Sequence, residues 1–353
     1  MAGRDQLRKD RGCPAGLTSM IRLAALLFCL TFANGVTATT RDMSIGLAGV
    51  VDWSVQQPFL DVMKTARPWI GHRPGQWGGA EYADLEAAGV FDEHGWPVRI
   101  PEDFRGIGTV VLTDMPVLAR SLAGRYRLQY RGDGIVEISG RATDIRYGEG
   151  EVLFDFEPGP GPVAITINKT DRDGTGDYVR DVTLVKLDKA ERLDTGELFN
   201  PDWVRHIADF GTLRFMDWMD TNDSTQSEWS DRPKPGDFSY ARHGVPVEIM
   251  VRLANQVQSD AWFNMPHLAT DEYIQQFARF VRDNLDPGRI AYAEFSNEVW
   301  NWQFTQAVWA EKKPLRVGGS KTAGCSFTVW PRPIWLPSGK TCSVPKQKRG
   351  WSQ

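Results

Sequence analysis

The chain has 353 residues, of which 41% are hydrophobic and 24% charged. That is ordinary globular composition, with room for one large or two medium domains. A net charge of −4 and the lack of any basic tract argue against nucleic acid as a partner.

Residues 1–38 read as a leader and signal peptide. Arg22 follows Met20, then comes an apolar run, Leu23–Phe32, and Val36-Thr37-Ala38 supplies a small-x-small cleavage pattern. The run is too short to span a bilayer. The pattern predicts a secreted or periplasmic protein that makes no membrane contact after cleavage. Cys13 and Cys29 fall in this leader, and Cys325 and Cys342 fall in the last thirty residues. The segment between them therefore uses neither disulfides nor thiol chemistry.

In residues 39–93, "SIGLAGVVDW" (44–53) reads as a strand ending in Asp52-Trp53. A helix-like stretch broken by Pro68 follows, and then a Gly-rich loop over 72–93. From 94 to 188 the character changes. "GRYRLQYRG", "GIVEIS", "EVLFDFEPG", "GPVAITINKT" and "VRDVTLVKL" are short alternating runs punctuated by Gly, Pro and Asp. They predict a compact antiparallel β-sandwich.

Over 189–313 a strand and helix rhythm returns. "NPDWVRHIADFG" predicts a short helix, "TLRFMDWM" (212–219) a strand and "PVEIMVRLAN" (246–255) the next strand. "TDEYIQQFARFVRDNL" predicts a helix capped by Thr270, with Ile274, Phe277, Ala278, Val281 and Leu285 in one stripe. "IAYAEFSNEVWNWQF" (290–304) reads as a buried strand running into a Ser-Asn-Glu turn among tryptophans. One strand before an all-β block and three after it predict an α/β fold. Its architecture is an incomplete (β/α)8 (TIM) barrel with an inserted antiparallel β-sandwich domain.

Residues 314–353 have no hydrophobic period, scattered Pro and Trp, and two Cys in a chain that otherwise avoids them. In the reading frame shifted by one base, GC-rich codons yield a turn, an aromatic strand-like piece and an amphipathic helix. The tail is therefore expected to be aberrant, the product of a frameshift near Lys312-Lys313, and the chain truncated.

The chemistry gathers at the expected strand ends. Asp52-Trp53 closes the first strand, and Asp217-Trp218 the second, with Asp220 and Asn222 beyond. Asn255 closes the third, followed by Asp260–Asn264 with Trp262, and Ser296-Asn297-Glu298-Val299-Trp300 closes the fourth. Each end sets a carboxylate or amide beside Trp. Groups that bond hydroxyls, next to flat apolar faces, describe a sugar-binding cleft. Each end also has a plainer account as a helix cap beside a core Trp. His267, after "WFNMP", is a further candidate for lining the cleft. The five His residues show no metal spacing. Asp171 and Asp173 occupy positions 1 and 3 of a calcium-type loop, but Val182 stands at position 12, and a hairpin turn is the blander reading.

"AEFSNEVWN" resembles the acid/base motif of the large clan of retaining (β/α)8 glycoside hydrolases that includes cellulases, xylanases and mannanases. The wider match, roughly 44–311, resembles secreted bacterial proteins of that clan, some labelled cellulose-binding. The resemblance implies Glu298 as general acid/base, Asn297 on the sugar 2-hydroxyl, and β-glycan as polysaccharide or oligosaccharide substrate. Trp53, Trp218, Trp262 and Trp300 become candidate sugar platforms, with Asp217, Asn255 and His267 beside them. A retaining mechanism needs a second carboxylate as nucleophile. In the clan it ends the seventh strand, and no fifth, sixth or seventh strand can be read here, so this chain is expected to be inactive. The alternative function is non-catalytic carbohydrate (cellulose) binding. Glu294, two residues before Ser296, should face the same way as the turn and pair with Arg214 or Arg252.

Overall fold

The computed structural model describes residues 41–312. The expected leader, cleavage pattern and frameshifted tail fall on residues outside those described. The fold is mixed α/β, with three sheets and few helices, and no closed barrel forms among the described residues.

In chain order, β1 (Ser44–Gly46) is followed by a 3-10 turn at Val62–Thr65, β2 (Ile70–His72), β3 (Gly79–Ala80) and α1 (Tyr82–Ala87). Then come β4 (Gly106–Val111), β5 (Gly124–Arg131), β6 (Gly134–Gly140), β7 (Ala142–Gly148), β8 (Glu151–Phe156), β9 (Val163–Thr170) and β10 (Arg180–Lys186). The rest is α2 (Ala190–Asp194), α3 (Pro201–Ile207), β11 (Thr212–Arg214), α4 (Val247–Val257), β12 (Asp260–Met265), α5 (Asp271–Asn284), β13 (Ala291–Phe295) and α6 (Thr305–Lys312).

The strands β2 to β10 form two antiparallel sheets, ordered β3-β2-β4-β9-β6 and β10-β5-β8-β7. Alternation explains them: β8 reads half-buried, buried, half-buried, buried along Glu151–Phe156, as a strand with one inward face must. Residues of both sheets share one core that includes Trp69, Ile107, Tyr126, Phe154, Ile165 and Leu184. This block begins at Ile70, not at residue 94, because β2 pairs with β4. The expected loop over 72–93 holds β3 and α1.

The remaining strands form one parallel sheet, ordered β1-β11-β12-β13. Parallel neighbours need crossovers, and α3, α4 and α5 each precede the next strand as such a crossover requires. A second core joins Leu213, Phe215, Trp218, Leu253, Phe263 and Phe277. Two expected strands are shorter than read: β1 stops at Gly46 and β11 at Arg214. Asp52 therefore lies beyond the sheet, buried, accepting from Arg67 Nε at 2.8 Å and from the Thr113 hydroxyl.

The segment 246–255 is a helix, not the third strand. Val247, Met250, Val251, Ala254 and Val257 are buried at helical spacing, and Gln258, left-handed at φ 55°, ends the turn. A short apolar run carries either reading until its neighbours choose. The third strand is β12. Thr270 caps α5 as expected, accepting from Tyr273 N at 3.2 Å. The buried line on α5 is Tyr273, Phe277 and Val281, so Tyr273 replaces Ile274.

The antiparallel block leaves and rejoins the chain through a narrow neck. Leu60 N donates to Leu198 O at 2.9 Å, and Asn200 N donates to Pro58 O at 2.9 Å. Beside it, the buried Asp61 carboxylate accepts from Met63 N at 3.0 Å and from Leu184 N of β10 at 2.9 Å. Burial pushes the Asp61 carboxyl up, against the pull of Lys64 and of these two amides.

Candidate functional site

The parallel register aligns side chains in rows. Arg214 sits beside Trp262, and Trp262 beside Tyr292; two residues further along, Asn264 sits beside Glu294. A period of two puts these rows on one face of the sheet.

Glu294 is the hub. Its Oε2 accepts from Arg214 Nη2 at 2.9 Å and Nε at 3.3 Å, from Trp262 Nε1 at 3.0 Å and from Asn264 Nδ2 at 2.7 Å. The Arg214 guanidinium also lies over the Trp262 ring, 5.1 Å from its centroid. The expected Glu294 to Arg214 pair is therefore present. Arg252 belongs to α4 and donates to Gly196 O instead.

Arg214 Nη2 reaches on to Asn297 Oδ1 at 3.1 Å. Asn297 is buried, its Nδ2 donating to Asn222 Oδ1 at 3.1 Å. Gln306 of α6 donates to Asn222 Oδ1 at 2.8 Å and to Asn297 O at 2.9 Å. Asp223 accepts from Thr305 N at 2.6 Å, which satisfies a free amide at the start of α6. Sequence reasoning missed Gln306, since nothing local marks a helical Gln as the partner of a residue 84 positions earlier.

Ser296 N still donates to Met265 O at 2.8 Å, so the ladder extends one residue past β13. The chain then turns sharply. Ser296 (φ 53°) and Glu298 (φ 42°) both take left-handed conformations that ordinarily favour glycine. Each costs about 1–2 kcal/mol, and such residues persist where surrounding contacts over-determine them. The grip on Asn297, between them, supplies that determination. Glu298 is exposed, and its Oε2 accepts from Asn301 Nδ2 at 3.0 Å. Trp300 and Trp302 are 63% and 60% exposed.

The other expected site residues divide. Trp53 is 57% exposed, with the Arg67 guanidinium 5.5 Å from its ring centroid. Trp262 belongs to the Glu294 network. Trp218 does not line a cleft: it is buried, stacked on Trp203 at 5.8 Å, and donates to Ala48 O at 3.1 Å. Asn255 also leaves the site, because its strand is a helix. Its side chain joins α4 to the end of α5, donating to Asn284 O at 2.8 Å and accepting from Asp286 N at 2.9 Å.

Asp217 lies just past β11, where burial raises its carboxyl and Arg214 opposes the rise. Asp220 is raised by burial first, then by the charges of Asp223 and Asp217. His267 is buried with Nδ1 unbonded, edge-on to Trp309 at 5.8 Å; burial lowers its pKa. The Asn264 Oδ1 and Ser296 Oγ atoms are likewise buried without a partner.

Among the described residues, no group of three or more His, Cys, Asp or Glu is arranged to hold a metal ion. The Asp171 carboxylate accepts from Thr175 N and Gly176 N at 2.8 and 2.9 Å, closing its own loop. The Asp171, Asp173 segment is a turn but not the expected hairpin, because β9 and β10 on either side of it belong to different sheets. No described helix is long and apolar enough to cross a membrane. No protein-family model matches the chain, and neither curated proteins nor solved structures give a match to set beside it, so the reading of this site rests on its own chemistry.

Proposed function

We propose that this chain is a secreted or periplasmic glycoside hydrolase-like protein that binds β-glycan at the ends of β11, β12 and β13 without cleaving it. In this reading the parallel sheet is the first half of a (β/α)8 barrel, and the antiparallel sheets are a sandwich inserted after its first strand. The observation that carries the proposal is the Arg214 anchor. One guanidinium grips both Glu294 and Asn297, holding the strained turn from which Glu298 and two exposed tryptophans project.

The roles follow from position. Asn297 bonds a sugar hydroxyl, Glu298 stands as general acid/base, and Trp300 offers a ring face for stacking. Cleavage with retention needs a second carboxylate about 5–5.5 Å from the first. Glu294 lies on β13 and Glu298 in the turn beyond it, and the four N–H bonds to Glu294 Oε2 give that carboxylate a structural task in holding Arg214, Trp262 and Asn264. That observation favours binding over hydrolysis, and with it a carbohydrate-binding role for the chain.

The test is depletion of the protein from solution by insoluble cellulose, xylan and mannan, with a reducing-end assay run in parallel. Binding to at least one glycan, weakened by combined Trp300→Ala and Trp302→Ala, is expected, with no reducing ends released. Release abolished by Glu298→Gln transfers the assignment to a working hydrolase. Failure to bind any of the three rejects the cleft altogether.

A further inference from the structure

We propose that the chain carries a second small-molecule site, a cavity of about 460 Å³ between residues 82–95 and 225–243, which takes a neutral, hydroxyl-rich ligand the size of a mono- or disaccharide. The cavity shares no residue with the Arg214, Glu294 and Asn297 network, so it stands or falls apart from the cleft. Its volume falls within the roughly 300–1,000 Å³ of ligand pockets. It opens where the two cores approach each other: Phe238 belongs to the core of the antiparallel sheets and Tyr240 to that of the parallel sheet. Pockets form preferentially at such seams.

Three cationic side chains and an imidazole bring donors to the walls. Arg242 lies over the Tyr82 ring at 3.9 Å and donates to Glu86 at 2.6 Å, through one nitrogen of three. Lys234 donates to Glu93 at 3.1 Å, leaving further ammonium protons free. Arg232 donates to Glu248 at 3.1 Å and to Trp229 O at 3.4 Å, while its Nε is buried without a partner. His243 lines the same cavity, and among the described residues its one hydrogen bond is accepted by its backbone carbonyl from Gln226. Burial, aided by Arg242, lowers that imidazole to about 4, so at neutral pH it presents one donor and one acceptor.

Three of the five carboxylates are committed inward. Asp92 accepts from His94 N, Trp96 N and the Tyr178 hydroxyl. Asp231 accepts from Ser227 N and Glu228 N, and Asp237 from Lys234 N. These three, with Glu86 and Glu93, face three cationic side chains, so the walls hold a formal excess of two negative charges. An anionic ligand meets that excess, and a cation finds Asp92, Asp231 and Asp237 already bonded, with open oxygens only on the solvent-facing Glu86 and Glu93. A neutral polyol avoids the charge excess: each hydroxyl accepts from the Arg, Lys or His donors and gives its proton to the imidazole or to the open oxygens of Glu86 and Glu93.

The test is titration of the full chain with glucose, xylose, mannose, cellobiose, glucuronate and inorganic phosphate, followed by calorimetry and by the ring resonances of His243. At least one neutral sugar is expected to saturate and to shift His243. His243→Leu and Arg242→Met should each weaken it about tenfold, the loss of one or two hydrogen bonds. Trp300→Ala, which acts on the cleft, should leave the His243 shift and its midpoint unchanged, and that separates the two sites. Should a substitution unfold the chain, the His243 shift in the unaltered protein still decides. The proposal is overturned if no neutral sugar saturates or His243 does not respond. It is equally overturned if glucuronate or phosphate binds more tightly, or if Trp300→Ala abolishes the effect.

Discussion

The strands β9 and β13 make opposite use of the same element. β9 is paired on both edges, with β4 and β6, and Val163 through Ile167 are all buried. β13 is paired with β12 alone, and none of its five residues is fully buried. Parallel strands are ordinarily covered on both faces. The antiparallel block thus encloses its own core, whereas the outer strand of the parallel sheet is held chiefly by polar contacts. Those contacts run through Glu294, which is also what fixes the candidate site.

The contrast breaks if β13 proves as packing-dependent as the β-rich block. Phe154→Ala, at a fully buried position, should cost about 3–5 kcal/mol. Phe295→Ala, half-buried, should cost under half as much. Denaturant midpoints at unchanged slope measure both, and equal losses would erase the distinction.

A second measurement sharpens it. Glu294→Ala removes the shared acceptor of Arg214, Trp262 and Asn264. With the two charged side chains 35% and 24% exposed, solvent screening limits the loss to about 1–3 kcal/mol. A double-mutant cycle with Arg214→Met should be clearly non-additive. Glycan binding should fall further than stability does, because Asn297 loses its anchor.

Acid should act on the wall that joins the two cores. His243 is held neutral in the folded chain, with its pKa lowered to about 4 by burial. The unfolded chain takes up that proton near pH 6.5, so stability is full above that value and declines as pH falls toward 4. The decline should be on the order of 2–3 kcal/mol, and it should vanish in His243→Leu. An imidazole titrating near 6.5 by NMR in the folded protein would refute the assignment. The smallest effect belongs to the α5 cap, where Thr270→Ala should cost about 1 kcal/mol, read as a small shift in midpoint.

What the sequence disclosed follows the strength of its periods. The alternating runs of β5, β6, β8, β9 and β10 and the stripe and cap of α5 were legible because one face of each is buried; β7, mostly exposed, was not. The Asn297-Glu298 turn and the Glu294 to Arg214 pair were legible from a period of two. The helix α4 was not, because an apolar run of that length fits a buried strand equally well and only β12 beside it decides. Trp218 misled for a related reason: a Trp past a strand end looks the same whether it meets sugar or Trp203. Asn222 and Asn264 lay among the candidates, but their partners, like Gln306, are fixed by tertiary register alone.

The neck of the antiparallel block has a consequence for the chain's architecture. Pro58 and Leu60 are bonded directly to Asn200 and Leu198, so everything between them is topologically a side-loop on a connection that is already closed. Since the cost of closing a loop grows only about 0.6 kcal/mol per doubling of its length, the parallel sheet barely registers how long that excursion is. The module at the neck is therefore exchangeable in length, provided a replacement kept the two bonds at its base, supplied donors to the buried Asp52 in place of Arg67 and Thr113, and covered Phe238.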